Sequence, residues 1–191
     1  MNRRQILAAI LVATLVAPSA GEAAFAAGTE KPVAPEVSPL GDIPDNQAFI
    51  LFKSPAGFSV KVPEGWARKD AGNQTVFSDK YNHITLSVME ARSPLNVAEA
   101  KAKLGPDIEK TGRAVAISKI TEVKLKAGKA IKIAYDSNSE PNAVTNKQVR
   151  EENETFYFAK DGKLVSVQLS APKGADNVDQ WKLISSSFRW N

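Results

Sequence analysis

The chain has 191 residues, 43% hydrophobic and 24% charged, the proportions of an ordinary globular domain rather than a membrane bundle or a disordered chain. It contains no cysteine, which excludes disulfides, thiol catalysis, cysteine-ligated metals and a lipid-modified cysteine. The net charge of +4 is too small and too scattered for a nucleic-acid-binding surface.

Residues 1–26 read as a cleavable export signal. Asn2-Arg3-Arg4-Gln5 is a short positive segment, Ile6 to Ala17 is apolar, and Ala24-Phe25-Ala26 offers a small-x-small cleavage pattern. Gly21-Glu22-Ala23 is a competing cleavage site. A helix over the apolar run would span about 18 Å, short of the roughly 30 Å hydrocarbon core. Arg3-Arg4 followed by Gln5-Ile6-Leu7 resembles a twin-arginine signal, and the same pair also occurs in general secretory signals. Residues 27–48 form a Pro/Ala-rich linker with Pro32, Pro35, Pro39 and Pro44. It is expected to be extended and poorly packed, because proline fixes φ and removes a donor.

The folded domain is expected over residues 49–191. Phe49 to Lys53 and Phe58 to Val62 read as strands. Pro63-Glu64-Gly65-Trp66 turns the chain, with Trp66 expected in the core. Thr75 to Ser78 and Ile84 to Ala91 read as further strands, with Ile84, Leu86 and Val88 on one face. Ser93-Pro94 offers a helix start and Asn96 with Glu99 a competing cap. Val97, Ala100, Leu104 and Ile108 recur at helical spacing, with a break expected at Gly105-Pro106.

From Val115 to Ala171 the alternation predicts three long strands in a meander, carrying Val123/Leu125, Ile131/Ile133/Tyr135 and Val165/Val167/Leu169. Asp161-Gly162 is a two-residue type I′ hairpin signal. It pairs Lys160 with Lys163, Phe158 with Val165 and Phe156 with Val167. For Val123/Leu125 to share a face with Ile131/Ile133, the turn at Ala127-Gly128 needs an odd residue count and a glycine bulge. Asn177 to Ser187 reads as a final helix, with Val178, Trp181, Ile184 and Phe188 on its buried stripe. Strands with one helix between them and one at the end predict an α+β fold, an antiparallel sheet covered by helices.

Gly57-Phe58-Ser59-Val60-Lys61-Val62-Pro63-Glu64-Gly65-Trp66 resembles the opening strand and turn of the PsbP-like family. So do the Asp161-Gly162-Lys163-Leu164 hairpin and the ending Ser185-Ser186-Ser187-Phe188-Arg189-Trp190. The likeness covers residues 49–190 and its motifs are structural. It implies an α/β/α sandwich around a large antiparallel sheet and a non-catalytic binding or assembly role. The best-known member is an extrinsic lumenal protein of photosystem II, and distant relatives include a Ran-binding nuclear import factor. Cyanobacterial members usually carry a lipid-anchoring cysteine, which this chain lacks.

No catalytic residues are identified. The single histidine, His83, has no nucleophile motif around it, and there is no phosphate-cradling glycine loop or dinucleotide fingerprint. Asp79, Tyr81 and His83 alternate, so an imidazole and a carboxylate could share a face and begin a divalent-metal site. The alternative is a solvated polar turn. No other cofactor is expected. Lys124, Lys126 and Lys132, with Arg150 nearby, are placed opposite the apolar face. They would be either a basic docking stripe for an acidic partner or a solvated face. Glu151, Glu152 and Glu154 would complement them across the ladder. The sequence thus reads as an exported, non-catalytic protein acting through protein–protein contacts. Its place would be the periplasm, or the thylakoid lumen in a photosynthetic source, without a membrane span in the mature chain. The alternatives are a divalent-metal or small-ligand binder and an unrecognised hydrolase.

Overall fold

The computed structural model describes residues 30–91 and 94–191. The export signal and the Ser93 helix start lie outside the described residues. In chain order the elements are β1 (Phe49–Ser54), β2 (Phe58–Pro63), β3 (Ala67–Ala71), β4 (Gln74–Asp79) and β5 (Asn82–Glu90). A helical segment follows, made of α1 (Val97–Glu99), a π turn (Ala100–Leu104) and α2 (Gly105–Thr111). Then come β6 (Arg113–Leu125), β7 (Gly128–Asn138), β8 (Arg150–Lys160), β9 (Lys163–Pro172), α3 (Val178–Ser187) and β10 (Arg189–Trp190).

Seven strands form one antiparallel sheet in the order β3-β4-β5-β9-β8-β7-β6, and three form a small sheet, β1-β2-β10. The fold is α+β, as expected. The meander has four strands rather than three. Asp161 and Gly162 both take positive φ, as a type I′ turn requires, and set Lys160↔Lys163, Phe158↔Val165 and Phe156↔Val167. The β6–β7 turn differs from expectation. Leu125 pairs with Gly128 and Val123 with Ala130, so the loop is two residues, Lys126-Ala127, and Ile131/Ile133/Tyr135 point to the other face.

That parity reversal reflects a sheet covered on both sides. On one face Phe156, Phe158, Val165, Val167 and Leu169 pack with Phe58, Val60 and Val62 of the small sheet and Trp181, Ile184 and Phe188 of the α3 region. Ile84 and Leu86 belong to this core, with Val88 and Trp66 partly buried against it. On the other face Ile131, Ile133, Tyr135 and Tyr157 pack with Ala100 and, less buried, Leu104 and Ile108 of the helical segment. Phe188 is fully buried. Its ring stacks on Phe158 at 3.9 Å and lies 5.4 Å from Phe58.

Asn96 is the N-cap of α1, its Oδ1 accepting from Glu99 N at 2.8 Å. Gly105-Pro106 does not split the helix. Gly105 N donates to Ala100 O, five residues back, and the π turn shifts the ladder where Pro106 has no N–H to donate. A Cβ on Gly105 would meet Ile117 Cδ1 at 3.3 Å, so glycine permits the close seat on β6. β3 was not foreseen because Ala-Arg-Lys-Asp-Ala is exposed throughout and carries no alternation.

Residues 30–48 carry no helix or strand and are mostly exposed, but a few points of this strap are held against the domain. Ile43 is 4% exposed and belongs to the main core. The Asn177 amide accepts from Ile43 N at 2.7 Å and donates to Gly41 O at 2.9 Å. Asn138 treats Val33 N and Lys31 O in the same way, at 3.1 and 3.0 Å. Gly41 passes so close to Pro172 that a Cβ would sit 2.8 Å from Pro172 Cδ. The prolines keep this strap out of regular structure, and buried amides satisfy its backbone instead.

Polar residues line part of the second face. Gln168 Nε2 donates to Ser170 Oγ, Ser170 to Asn153 Oδ1, and Asn153 Nδ2 to Ser137 Oγ, at 3.2, 2.6 and 2.9 Å. Ser137 Oγ lies 3.5 Å from Glu151 Oε2. Burial pushes the Glu151 carboxyl up to about 7, with nearby Glu140 adding to the rise.

Phe188→Ala should cost about 3–5 kcal/mol in urea unfolding. Asn177→Ala should cost about 1–3 kcal/mol, the penalty of stranding buried polar groups, and should open the strap to limited proteolysis. Glu151 holds a proton in the folded chain that the unfolded chain releases near its ordinary value of 4.5. The stabilisation is therefore complete below that value and is lost as pH rises to about 7. Thermal melts across this window should fall less steeply for Glu151→Gln than for wild type.

Candidate binding groove

On the face that carries α3, strands β6, β7 and β8 extend past the helix and leave a groove of about 350 Å³. Val123 and Leu125 of β6 and Phe156 of β8 line it from the sheet, and Val178, Trp181, Lys182 and Ser185 line it from α3. Ala175 and Asn177 close the corner where β9 leads into the helix. Trp181 is 8% exposed and Phe156 4%, whereas Val178 stands 74% exposed. The groove thus has a packed apolar floor beneath an apolar rim residue that buries little of itself within the domain.

Charges are set into this floor. Lys132 Nζ donates to Glu154 Oε1, and the same ammonium lies 5.5 Å from the Phe156 ring centroid, a cation–π distance. Glu152 also lines the groove. Burial raises its carboxyl, the Gly174 N–H that donates to it works against the rise, and Asp136 and Glu154 add repulsion. Lys173 pairs with Asp136 and lowers Glu152 in turn. The groove therefore holds mixed charge inside an apolar wall, an arrangement suited to docking. Of the three lysines expected at a docking surface it contains Lys132, together with Glu152 and Glu154 of the acidic run expected to face them.

The three lysines do not form a stripe. Lys132 is on the α3 side, whereas Lys124 pairs with Lys129 on the opposite face, and Lys126 sits in the β6–β7 turn. The correction follows from the even turn, which moved β7 by one residue relative to the expected register. Arg150 is not part of a basic surface either. It is 5% exposed, and its guanidinium donates to Ala114 O and Asn138 Oδ1 at 2.8 and 3.0 Å. The acidic run does complement a lysine, through Glu154 and Lys132.

Asp79 and His83 are also separated. Asp79 pairs with Asn82 and Ser78 with His83, so the two side chains leave opposite faces of the sheet, and Tyr81 lies in the turn between β4 and β5. The expectation counted alternation along one strand, but the chain reverses at Lys80, which has φ 51°. His83 is half-buried beside Ser170, and desolvation lowers its pKa. Among the described residues no three His, Asp or Glu side chains gather as a metal site requires, and no helix is long and apolar enough to cross a membrane.

Helical spacing places Val178 and Trp181 on one buried stripe. Trp181 is buried, but Val178, in the first turn, overhangs the groove. The signal that separates them is the loop before the helix, which fixes where the first turn begins and carries no periodicity.

The fold is similar to that of cyanobacterial PsbP from Synechocystis, with a TM-score of 0.55 at 15% identity, covering 81% of this chain and 99% of that one. It is also similar to the Saccharomyces cerevisiae Ran-binding protein Mog1p, with a TM-score of 0.52 at 9% identity, covering 76% and 96% of the two chains. These likenesses support the PsbP-like fold expected from the sequence. No curated protein matches the sequence itself. The family model described as serine/threonine kinase C-terminal domain matches residues 51–188, and the chain belongs to that family.

Proposed function

We propose that this chain is an exported, non-catalytic accessory protein that binds a protein partner through the groove between α3 and strands β6–β8. The observation that carries the reading is Val178, 74% exposed at the rim of a floor formed by Phe156, Trp181 and the Lys132–Glu154 pair. An apolar anchor entering there would bury Val178 and meet oriented charges, the composition of an interface centre with a polar surround. The layers are read as the α/β/α sandwich implied by the PsbP-like resemblance, with α3 and the small sheet forming one outer layer. Mog1p, which shares the fold, is a Ran-binding protein, and a domain described as the C-terminal part of kinases is in keeping with an appended binding module. The apolar leader and its small-residue cleavage pattern support export to the periplasm, or to the lumen of a photosynthetic source.

A photo-crosslinking residue at Lys182, introduced into the protein in the cells that make it, should yield a discrete adduct with another protein. The same residue at Lys69 on β3 should not. Adding Val178→Asp should cut the Lys182 adduct by about tenfold, while the melting temperature stays put because an exposed substitution changes stability by about 0.5 kcal/mol or less. A folded protein with no adduct at Lys182, or an adduct indifferent to Val178→Asp, would overturn the groove as the binding site.

A further inference from the structure

We propose that the free edge of β1 is a second docking surface, which takes up an extended segment of a partner protein carrying alternating acidic and apolar residues. The register fixes which backbone groups are available. Glu64 N donates to Ala48 O, and the β1–β2 pairs run from Phe49↔Pro63 to Ser54↔Phe58. The even-numbered residues of β1 therefore exchange bonds with β2, and the N–H and C=O groups of Phe49, Leu51 and Lys53 point away from it. Among the described residues β1 is the terminal strand of its sheet, so these six groups form a row that can accept one more strand.

The other edges are better protected against such pairing than this one, whose single charge is Lys53. β6 carries two register shifts, with Lys119 and Lys124 along it. β3 is a short run of Ala-Arg-Lys-Asp-Ala, and β10 has two residues. Bulges, short length and charge are the usual defences of an edge strand. β1 pairs without a shift and contains no proline. It leaves Ile50 48% and Leu51 52% exposed.

Charge selects the occupant. The outward face of the small sheet carries Leu51 and Lys53 of β1, Lys61 of β2 and Arg189 of β10. Phe49, Ser59 and Pro63 share this face, and Asn191 accepts from Ser59 Oγ at its end, so among the described residues its side chains supply three cations and no carboxylate. On the inward side the edge ends at Ile50, partly uncovered. A strand that alternates acidic and apolar residues would place its carboxylates beside Lys53 and Leu51, with Lys61 one strand further in across from Leu51, and its apolar residues beside Ile50. Pairing with a second copy would bring Lys53 to the edge of another basic face instead. This surface is separate from the groove, and either can fail without the other.

The test uses the isotopically labelled protein and a capped hexapeptide of alternating Glu and Val, followed by amide hydrogen exchange. The expected result is slowed exchange at Phe49, Leu51 and Lys53 alone, since Ile50, Phe52 and Ser54 are already bonded. The double variant Lys53→Glu, Lys61→Glu should weaken binding by about tenfold or more, and a Lys-Val hexapeptide should not bind. Leu51→Pro, which removes an outward N–H and no β1–β2 bond, should abolish protection. Should that variant unfold, the charge variant and the period-two exchange pattern still decide. Protection elsewhere, or none, overturns the proposal. So does protection of these amides that grows with protein concentration in the absence of peptide, which identifies a second copy as the occupant.

Discussion

Phe188 sits where three parts of the chain converge. Its ring stacks on Phe158 of the large sheet at 3.9 Å, lies 5.4 Å from Phe58 of the small sheet, and meets Trp190 edge-on at 5.2 Å. It is the cap residue at the C-terminus of α3, so the end of that helix cannot shift without uncovering both sheets. β10 follows immediately and pairs Arg189 with Ser59. The small sheet is thus held to the large one through a segment more than a hundred residues away in sequence, and a buried aromatic group is a suitable fastener because its area is large and its geometry specific.

The groove follows from how α3 is held. Ile184 and Phe188 fix the C-terminal half over β8 and β9. At the other end Asn177 makes no side-chain cap to the helix, because its amide binds Ile43 N and Gly41 O of the strap. A residue type that ordinarily stabilises the start of a helix is here used to hold a passing chain. The first turn is therefore positioned by the strap and not by the sheet. Val178 is left over the strip of β6, β7 and β8 that neither α3 nor the small sheet covers.

Most of the strands and the Asp161-Gly162 register were legible because each depends on local chemistry: alternation for the one, positive φ at two residues for the other. β3, exposed throughout, has no such signal. Parity across the β6–β7 turn was not legible either. In a sheet with one apolar face, Val123 and Ile131 would have to lie on the same side. Here both faces are covered, so the two apolar sets can have opposite parity, and periodicity alone cannot distinguish the cases. Each site expectation that failed depended on such a relation. Lys124 and Lys132 required the β6–β7 register, and Asp79 with His83 required that no turn intervene. The anchor points of the strap are hidden from the sequence for a related reason. Proline content reports conformation, whereas packing depends on Asn138 and Asn177, more than a hundred residues distant in the chain.

The charges in the groove floor argue for a role beyond holding the domain together. Lys132 and Glu154 are 29% and 26% exposed at their side chains, so both have lost much of their hydration. The attraction between them offsets that loss without a large surplus, which is why apolar residues of similar size often serve stability equally well. Valine or leucine at these positions would continue the wall formed by Val123, Leu125 and Phe156. What the ion pair supplies instead is direction. An ammonium held over an aromatic ring beside two carboxylates presents fixed charge to whatever enters, and penalises an occupant that cannot match it. An apolar wall alone would accept any greasy segment; in the proposed docking, the Lys132–Glu154 pair and Glu152 would restrict the groove to segments that bring a complementary polar group to its base.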